Sequence, residues 1–151
     1  MANISPRGVN LIQGEVVTLA ASAARTAGAN GTAVYLAGER RRLIFINAIT
    51  ASATDAGDVL DVYVDTSIDG VTYYNAIHFT QQAGNGAART EYAILDTSAP
   101  GAVIIDVSTD AASGAVRPSV FGAYYRARWA ITDAGGAADQ SHTFSVIGYA
   151  I

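Results

Sequence analysis

Between residues 60 and 81 the chain reads LDVYVDTSIDGVTYYNAIHFTQ, a stretch that holds Asp61, Asp65, Asp69, His78 and the tyrosines at 63, 73 and 74. Carboxylates four apart beside a histidine suggest a cation site or a general base, and the interleaved rings suggest a sugar platform. Spacing decides the first question. On an extended strand Leu60, Val62 and Val64 share one face, while Asp61, Tyr63 and Asp65 share the other. At roughly 3.3 Å per residue, Asp61 and Asp65 stand about 13 Å apart. A calcium loop instead gathers closely spaced oxygens around a turn. No metal is expected, and the outward aspartates read as charges that keep a strand soluble and discourage unwanted pairing.

Nucleophilic and metal-assisted chemistry find little support. His78 and His142 are the only histidines, each in an apolar-aromatic setting, and no GxSxG turn presents a serine. A zinc enzyme needs about three ligands, and neither HExxH nor cysteine occurs. A GxxxxGK[ST] phosphate loop is impossible because the chain has no lysine. A paired-carboxylate hydrolase assembled from distant strands stays open in principle, although the three glutamates sit in no recognisable setting. The expectation is a non-enzyme without cofactors.

Length and composition set the frame. The 151 residues favour one domain. Half of them are hydrophobic and only 15% are charged, which excludes wholesale disorder. No apolar run reaches the roughly 18 residues of a membrane span, and MANISPRGVN has no signal-peptide core. Absence of cysteine rules out disulfides, so packing, hydrogen bonds or partners must hold the fold. The formal charge of −4 argues against nucleic acid as a partner. All nine basic residues are arginine, whose planar fork suits fixed pairing with carboxylates; GC-rich codon usage produces the same bias.

Period-two alternation and short apolar runs between Gly, Asn, Asp and Ser predict strands near 15–20, 33–37, 42–50, 59–66, 71–80, 90–96, 102–107, 122–132 and 142–151. The alternative helix, TLAASAARTA over 18–27, has alanine propensity but no apolar stripe. GANG, GNG and AGG offer positive-φ turn positions, with Asp69-Gly70 the tight pair of a hairpin. The resulting fold class is all-β: a single-domain antiparallel β-sandwich or barrel-like fold, jelly-roll or β-tulip type, spanning 14–151. Residues 1–13 read as an extended N-terminal arm, with Ile4, Val9 and Leu11 as apolar handles for a neighbour.

In GAYYRARWAI, Tyr125, Ala127, Trp129 and Ile131 fall on one face, assigned to the core. Tyr124, Arg126 and Arg128 form the opposite ladder, a composition enriched at protein interfaces. Arg40, Arg41 and Arg42 make a second basic spot at a strand entrance, for which a solvated turn is the plain alternative. The sequons at Asn3 and Asn30 read as chance without a secretion signal. The expected core comprises Leu60, Val62, Val64, Phe79, Trp129, Phe144 and Val146.

Taken together, LDVYVDTSIDGVTYYNAIHFTQ, the turn GNGAART, the late strand YYRARWAITD and the closing HTFSVIGYAI resemble small tailed-bacteriophage virion proteins, nearest to capsid decoration (cement) proteins. The resemblance covers roughly residues 42–151, and its most specific pieces are 60–81 and 124–131. Val71 departs from the small residue expected after Asp69-Gly70, and tyrosine stands where tryptophan is frequent. The resemblance implies a β-rich fold, homotrimers on the outside of an icosahedral head and no enzyme activity. It further implies the major capsid protein as partner, synthesis in the host cytoplasm and a location in the virion. Another head–tail or tail protein, and a carbohydrate-binding sandwich with a glycan ligand, are the alternatives.

Overall fold

The computed structural model describes residues 3–4, 10–11, 15–36, 42–96, 103–135 and 139–151. Asn3–Ile4 (β1) and Asn10–Leu11 (β2) pair with each other in a ladder separate from the rest. The strands that follow are β3 (Glu15–Arg25), β4 (Ala29–Asn30), β5 (Val34–Tyr35), β6 (Arg42–Ala51) and β7 (Val59–Ser67). Then come β8 (Tyr74–His78), β9 (Gln82–Ala83), β10 (Arg89–Asp96), β11 (Ala115–Val116), β12 (Tyr124–Thr132) and β13 (His142–Ala150). Each pairing is antiparallel.

Two sheets result. One runs β10-β6-β13-β3, the other β11-β8-β7-β12-β4. The short β4 and β5 both pair with β12, and amide bonds from Gly31 to Ala127 and from Leu36 to Ala123 continue the contact. They act as one interrupted edge strand. Among the described long strands and this edge strand, only β7 and β8 follow one another within a sheet; the other successive strands lie in opposite sheets. This alternation over eight strand positions is the topology of a double-sheet jelly roll. It resolves the sequence-level choice between sandwich types, and the all-β, single-domain sandwich is what the sequence predicted.

Alternation explains the packing. On β6, Leu43, Phe45, Asn47 and Ile49 point inward, and on β13 His142, Phe144, Val146, Gly148 and Ala150 do the same. From the facing sheet come Leu60, Val62 and Val64 of β7, Ile77 of β8, and Tyr125 and Ala127 of β12. Phe45 and Tyr125 meet with ring centroids 5.5 Å apart. Gly148 lies beneath Phe45, where an added Cβ would crowd Phe45, Val17 and Leu19. Six of the seven expected core residues are buried. Trp129 differs: it packs on the core margin, edge-on to Phe144 at 5.6 Å, with its indole N–H donated to the Ala27 carbonyl.

Two local expectations fail for identifiable reasons, the strand at 102–107 and the positive-φ turn at GANG, while the strand expected near 15–20 forms and runs on. The 18–27 segment is strand through Arg25, because pairing with β13 and burial of Leu19 and Ala20 outweigh alanine's helix propensity. Residues 103–107 form no strand; the neighbouring edge of β8 is paired by Ala115–Val116 instead. GANG is not a positive-φ turn but part of the edge along β12. There Gly31 is needed because a side chain would strike the Leu19 carbonyl. Among the described residues, positive φ occurs instead at Gly70, Asn85 and Gly114, so the Asp69-Gly70 and GNG turns match the sequence reading.

Candidate interaction surfaces

The outer face of the β8-β7-β12 sheet carries the polar residues singled out from the sequence. Register places Arg126 opposite Asp65 and Arg128 opposite Tyr63. Asp65 is 3% exposed, not a solvated surface charge. Arg128 Nε donates to Asp65 Oδ2 at 2.8 Å, its Nη2 donates to Asp110 at 2.6 Å, and its guanidinium lies 3.9 Å above the Tyr63 ring. Burial alone would lower the Arg128 pKa. The hydrogen bonds and charges of Asp65 and Asp110 overcome that and raise it. Arg126 stands 3.7 Å from Asp65 and stacks over Tyr73. Burial, followed by the Asp61 and Asp110 charges, pushes the Tyr63 phenol up.

His78 belongs to the same layer. Its ring stacks on Tyr63 at 4.3 Å, Nε2 meets Asp61 Oδ1 at 2.8 Å, and Nδ1 meets the Ala111 carbonyl at 2.8 Å. Asp61 also accepts from the Gln81 amide. The segment 103–114 is thus clamped over this face through Asp110 and Ala111. Asp61 and Asp65 are engaged with His78, Gln81 and arginines, which leaves neither as an open cation ligand. Nor do the rings of Tyr63 and Tyr73 form a free platform, since arginine covers each. The sequence placed these side chains on the correct face; burial under a distant loop has no local signal.

The other candidate contact residues are dispersed. Tyr124 is half-buried, edge-on to Tyr35 at 5.1 Å. Arg42 is exposed and meets Asp96 at 3.4 Å, a surface pair. Arg40, Arg41 and Val9 lie outside the described residues. Ile4 and Leu11 contribute backbone to the β1–β2 ladder.

A different surface emerges on the outside of the β10-β6-β13-β3 sheet. Ladder register aligns Tyr92, Ile46 and Ile147 in one row across three strands. The next aligned row, across all four, is Ile94, Ile44, Tyr149 and Val16. Tyr92 is 65%, Ile94 48% and Val16 61% exposed, and the others are half-buried. Seven large apolar side chains thus tile one face of a sheet whose opposite face is the core. Contiguous apolar surface of this kind marks contact sites in soluble proteins. The signal was present in RLIFINAI, EYAIL and VIGYAI, which are apolar in both phases, as strands buried on two sides are.

No protein-family model matches the chain. No curated protein matches it. Among solved structures it is similar to a chain in the structure of infectious bursal disease virus, Gx strain, with a TM-score of 0.49 and 12% identity. That match covers 100% of this chain, which spans 36% of the length of the viral one.

Proposed function

We propose that this chain is a structural virion protein, a capsid decoration (cement) protein that binds the outside of a phage head as a homotrimer and has no catalytic activity. The observation that carries the reading is the two-row apolar face of the β10-β6-β13-β3 sheet. An isolated subunit leaves Tyr92, Ile94 and Val16 in water; a subunit or capsid contact removes that area from solvent. The resemblance of 60–81 and 124–131 to decoration proteins supports the same role. Jelly rolls serve both viral capsids and lectins, so topology alone does not choose between them. In this proposal the major capsid protein is the second partner, and residues 1–13 reach a neighbour.

Sedimentation equilibrium over a wide concentration range, followed by titration onto empty heads, tests the proposal. Trimer mass and saturable head binding are expected, with Tyr92→Asp/Ile94→Asp losing one or both while keeping a β-type circular dichroism spectrum. A chain that stays monomeric and ignores heads rejects the reading. Binding to host polysaccharide in place of heads would favour the carbohydrate module, and binding only to tails another virion position.

A further inference from the structure

Asp58 and a pair of aspartates six residues apart, Asp133 and Asp139, meet at one end of the sandwich although the pair is remote from Asp58 in sequence. Asp58 ends the β6–β7 connection, Asp133 directly follows β12, and Asp139 precedes β13. One carboxylate oxygen from each lies within 4.8 Å of the others. Calcium holds oxygens at about 2.3–2.6 Å, so a single ion spans oxygens up to about 5 Å apart; magnesium demands a tighter octahedron.

Burial makes this more than a cluster of surface acids. Asp58 is 0% exposed. Its Oδ1 accepts the Ala134 N–H at 3.1 Å, while its Oδ2 has no hydrogen-bond partner. None of the three acids forms an ion pair among the described residues. His142 is also fully buried, and neither of its ring nitrogens hydrogen-bonds to Asp58. A buried carboxylate oxygen without a donor is costly unless a cation or a proton compensates it. Asp133 and Asp139 bring two further negative groups to the same point, which favours the cation.

We propose that Asp58, Asp133 and Asp139 form a calcium-class divalent cation site that ties the β6–β7 connection to the β12–β13 connection. Both connections carry the chain from one sheet to the other. A cation held between them links the two layers at that end, the kind of cross-link a cysteine-free chain cannot make with a disulfide. The expectation of no metal rests on the two histidines, the lack of cysteine and the strand separation of Asp61 and Asp65; Asp58 joins Asp133 and Asp139 only in the fold.

The test uses the full chain freed of metal by chelation, with calcium and magnesium as probes in equilibrium dialysis and thermal melts. Wild type should bind about one calcium per chain, and at about 100-fold excess over Kd its Tm should rise by roughly 5–10 °C. Magnesium should give a smaller rise. Asp133 and Asp139 are exposed, so D133N and D139N should fold normally and lose both the bound ion and the calcium-dependent rise. D58N should also lose binding but melt higher than calcium-free wild type, because a buried charge is gone. No calcium retained by wild type at millimolar concentration overturns the site, as does a Tm rise that persists in the D133N/D139N double variant.

Discussion

Arg128 and Asp65 lie across the β7–β12 ladder with Nε 2.8 Å from Oδ2, and the Asp65 side chain is only 4% exposed. Arg126 approaches the same carboxylate at 3.7 Å. Replacing Arg128 by Met keeps much of the stem's packing but strands a buried charge. That loss is typically about 3–5 kcal/mol when compensation disappears entirely, and roughly 2–3 kcal/mol is expected here because Arg126 stays. Adding Asp65→Asn should recover about half of that loss or more, since the buried charge is then gone. Urea unfolding of the four members of this cycle measures it. Losses that simply add in the double variant would show that the pair is not coupled as the geometry requires.

The same geometry changes what Arg126 can reveal. Charge reversal there places a carboxylate beside buried Asp65 and removes the stack on Tyr73. Arg126→Glu should therefore lower stability of the subunit itself. Weakened assembly in that variant would not locate an interface, whereas Tyr92 and Ile94 offer a surface that can be altered without touching the core.

The β7–β8 turn makes a pH-dependent prediction. Asp69 accepts backbone amides from Thr72 and Val71 and the Ser67 hydroxyl, which hold its pKa down at about 2 against an ordinary 3.8. A lowered folded-state pKa means that this support is complete above the unfolded value and is lost as pH falls from about 4 through 2. Carbon-detected NMR should place the Asp69 carboxyl midpoint near the lower figure. Asp69→Ala should speed amide exchange at Val71 and Thr72 at neutral pH, and the further loss on acidification should disappear with it. A midpoint near 3.8 would mean the turn does not hold these bonds in solution.

How much was legible follows from how local each cause is. Alternation in LDVYVD and HTFSVIGYAI fixes which side chains face inward, so Leu60, Val62, Val64, Phe144 and Val146 were readable residue by residue. Arg128's partner was not, because Asp110 reaches it from a segment whose path no periodicity reports. VIID at 103–106 has strand-like composition, yet the neighbouring edge of β8 is taken by Ala115–Val116, and the run stays irregular with Ile104 exposed. The apolar outer sheet face was half visible: two-phase apolar strands announce a second buried face but not which rows align. Asp58, Asp133 and Asp139 show the limit, since convergence across two crossovers has no trace in spacing.

Tyr125 and Trp129 share the inward phase of β12 but not the same depth. Tyr125 is 1% exposed and packs on Phe45, while Trp129 lies half-buried beside Arg25 and Phe144. Tyr125→Ala should cost about 3–5 kcal/mol, the range for deleting a large core aromatic, and Trp129→Ala should cost less. Denaturant midpoints rank the two. A larger loss at Trp129 would place that residue deeper than its exposure implies.

Asn47 sits fully buried on β6 with neither side-chain amide atom hydrogen-bonded. Leucine has the same number and branching of side-chain heavy atoms and removes the unpaired polar ones, each costing about 1–3 kcal/mol when desolvated without a partner. Asn47→Leu should therefore raise stability, with an increased thermal midpoint and an unchanged spectrum. A fall would mean that the amide has a partner in solution, with a buried water the direct candidate.

Segment 103–114 should be held most firmly at Ala111. Ala111 is buried; its N–H donates to Asn75 Oδ1 at 2.8 Å, and its carbonyl meets His78 Nδ1. Asn75 in turn donates to Asp65 and to the Ile77 carbonyl, so its side chain is fixed from both sides. Asp110, by contrast, is an exposed partner of Arg128, and such contacts contribute about 0–1 kcal/mol. The Ala111 amide should thus be the slowest-exchanging in the segment. Asn75→Ala should speed its exchange about tenfold or more, the equivalent of about 1.4 kcal/mol, whereas Asp110→Ala should change it much less. The opposite order would mean that the segment is held by surface charge and not by the buried Asn75 bond; fast Ala111 exchange in the wild type would mean that it is not clamped at all.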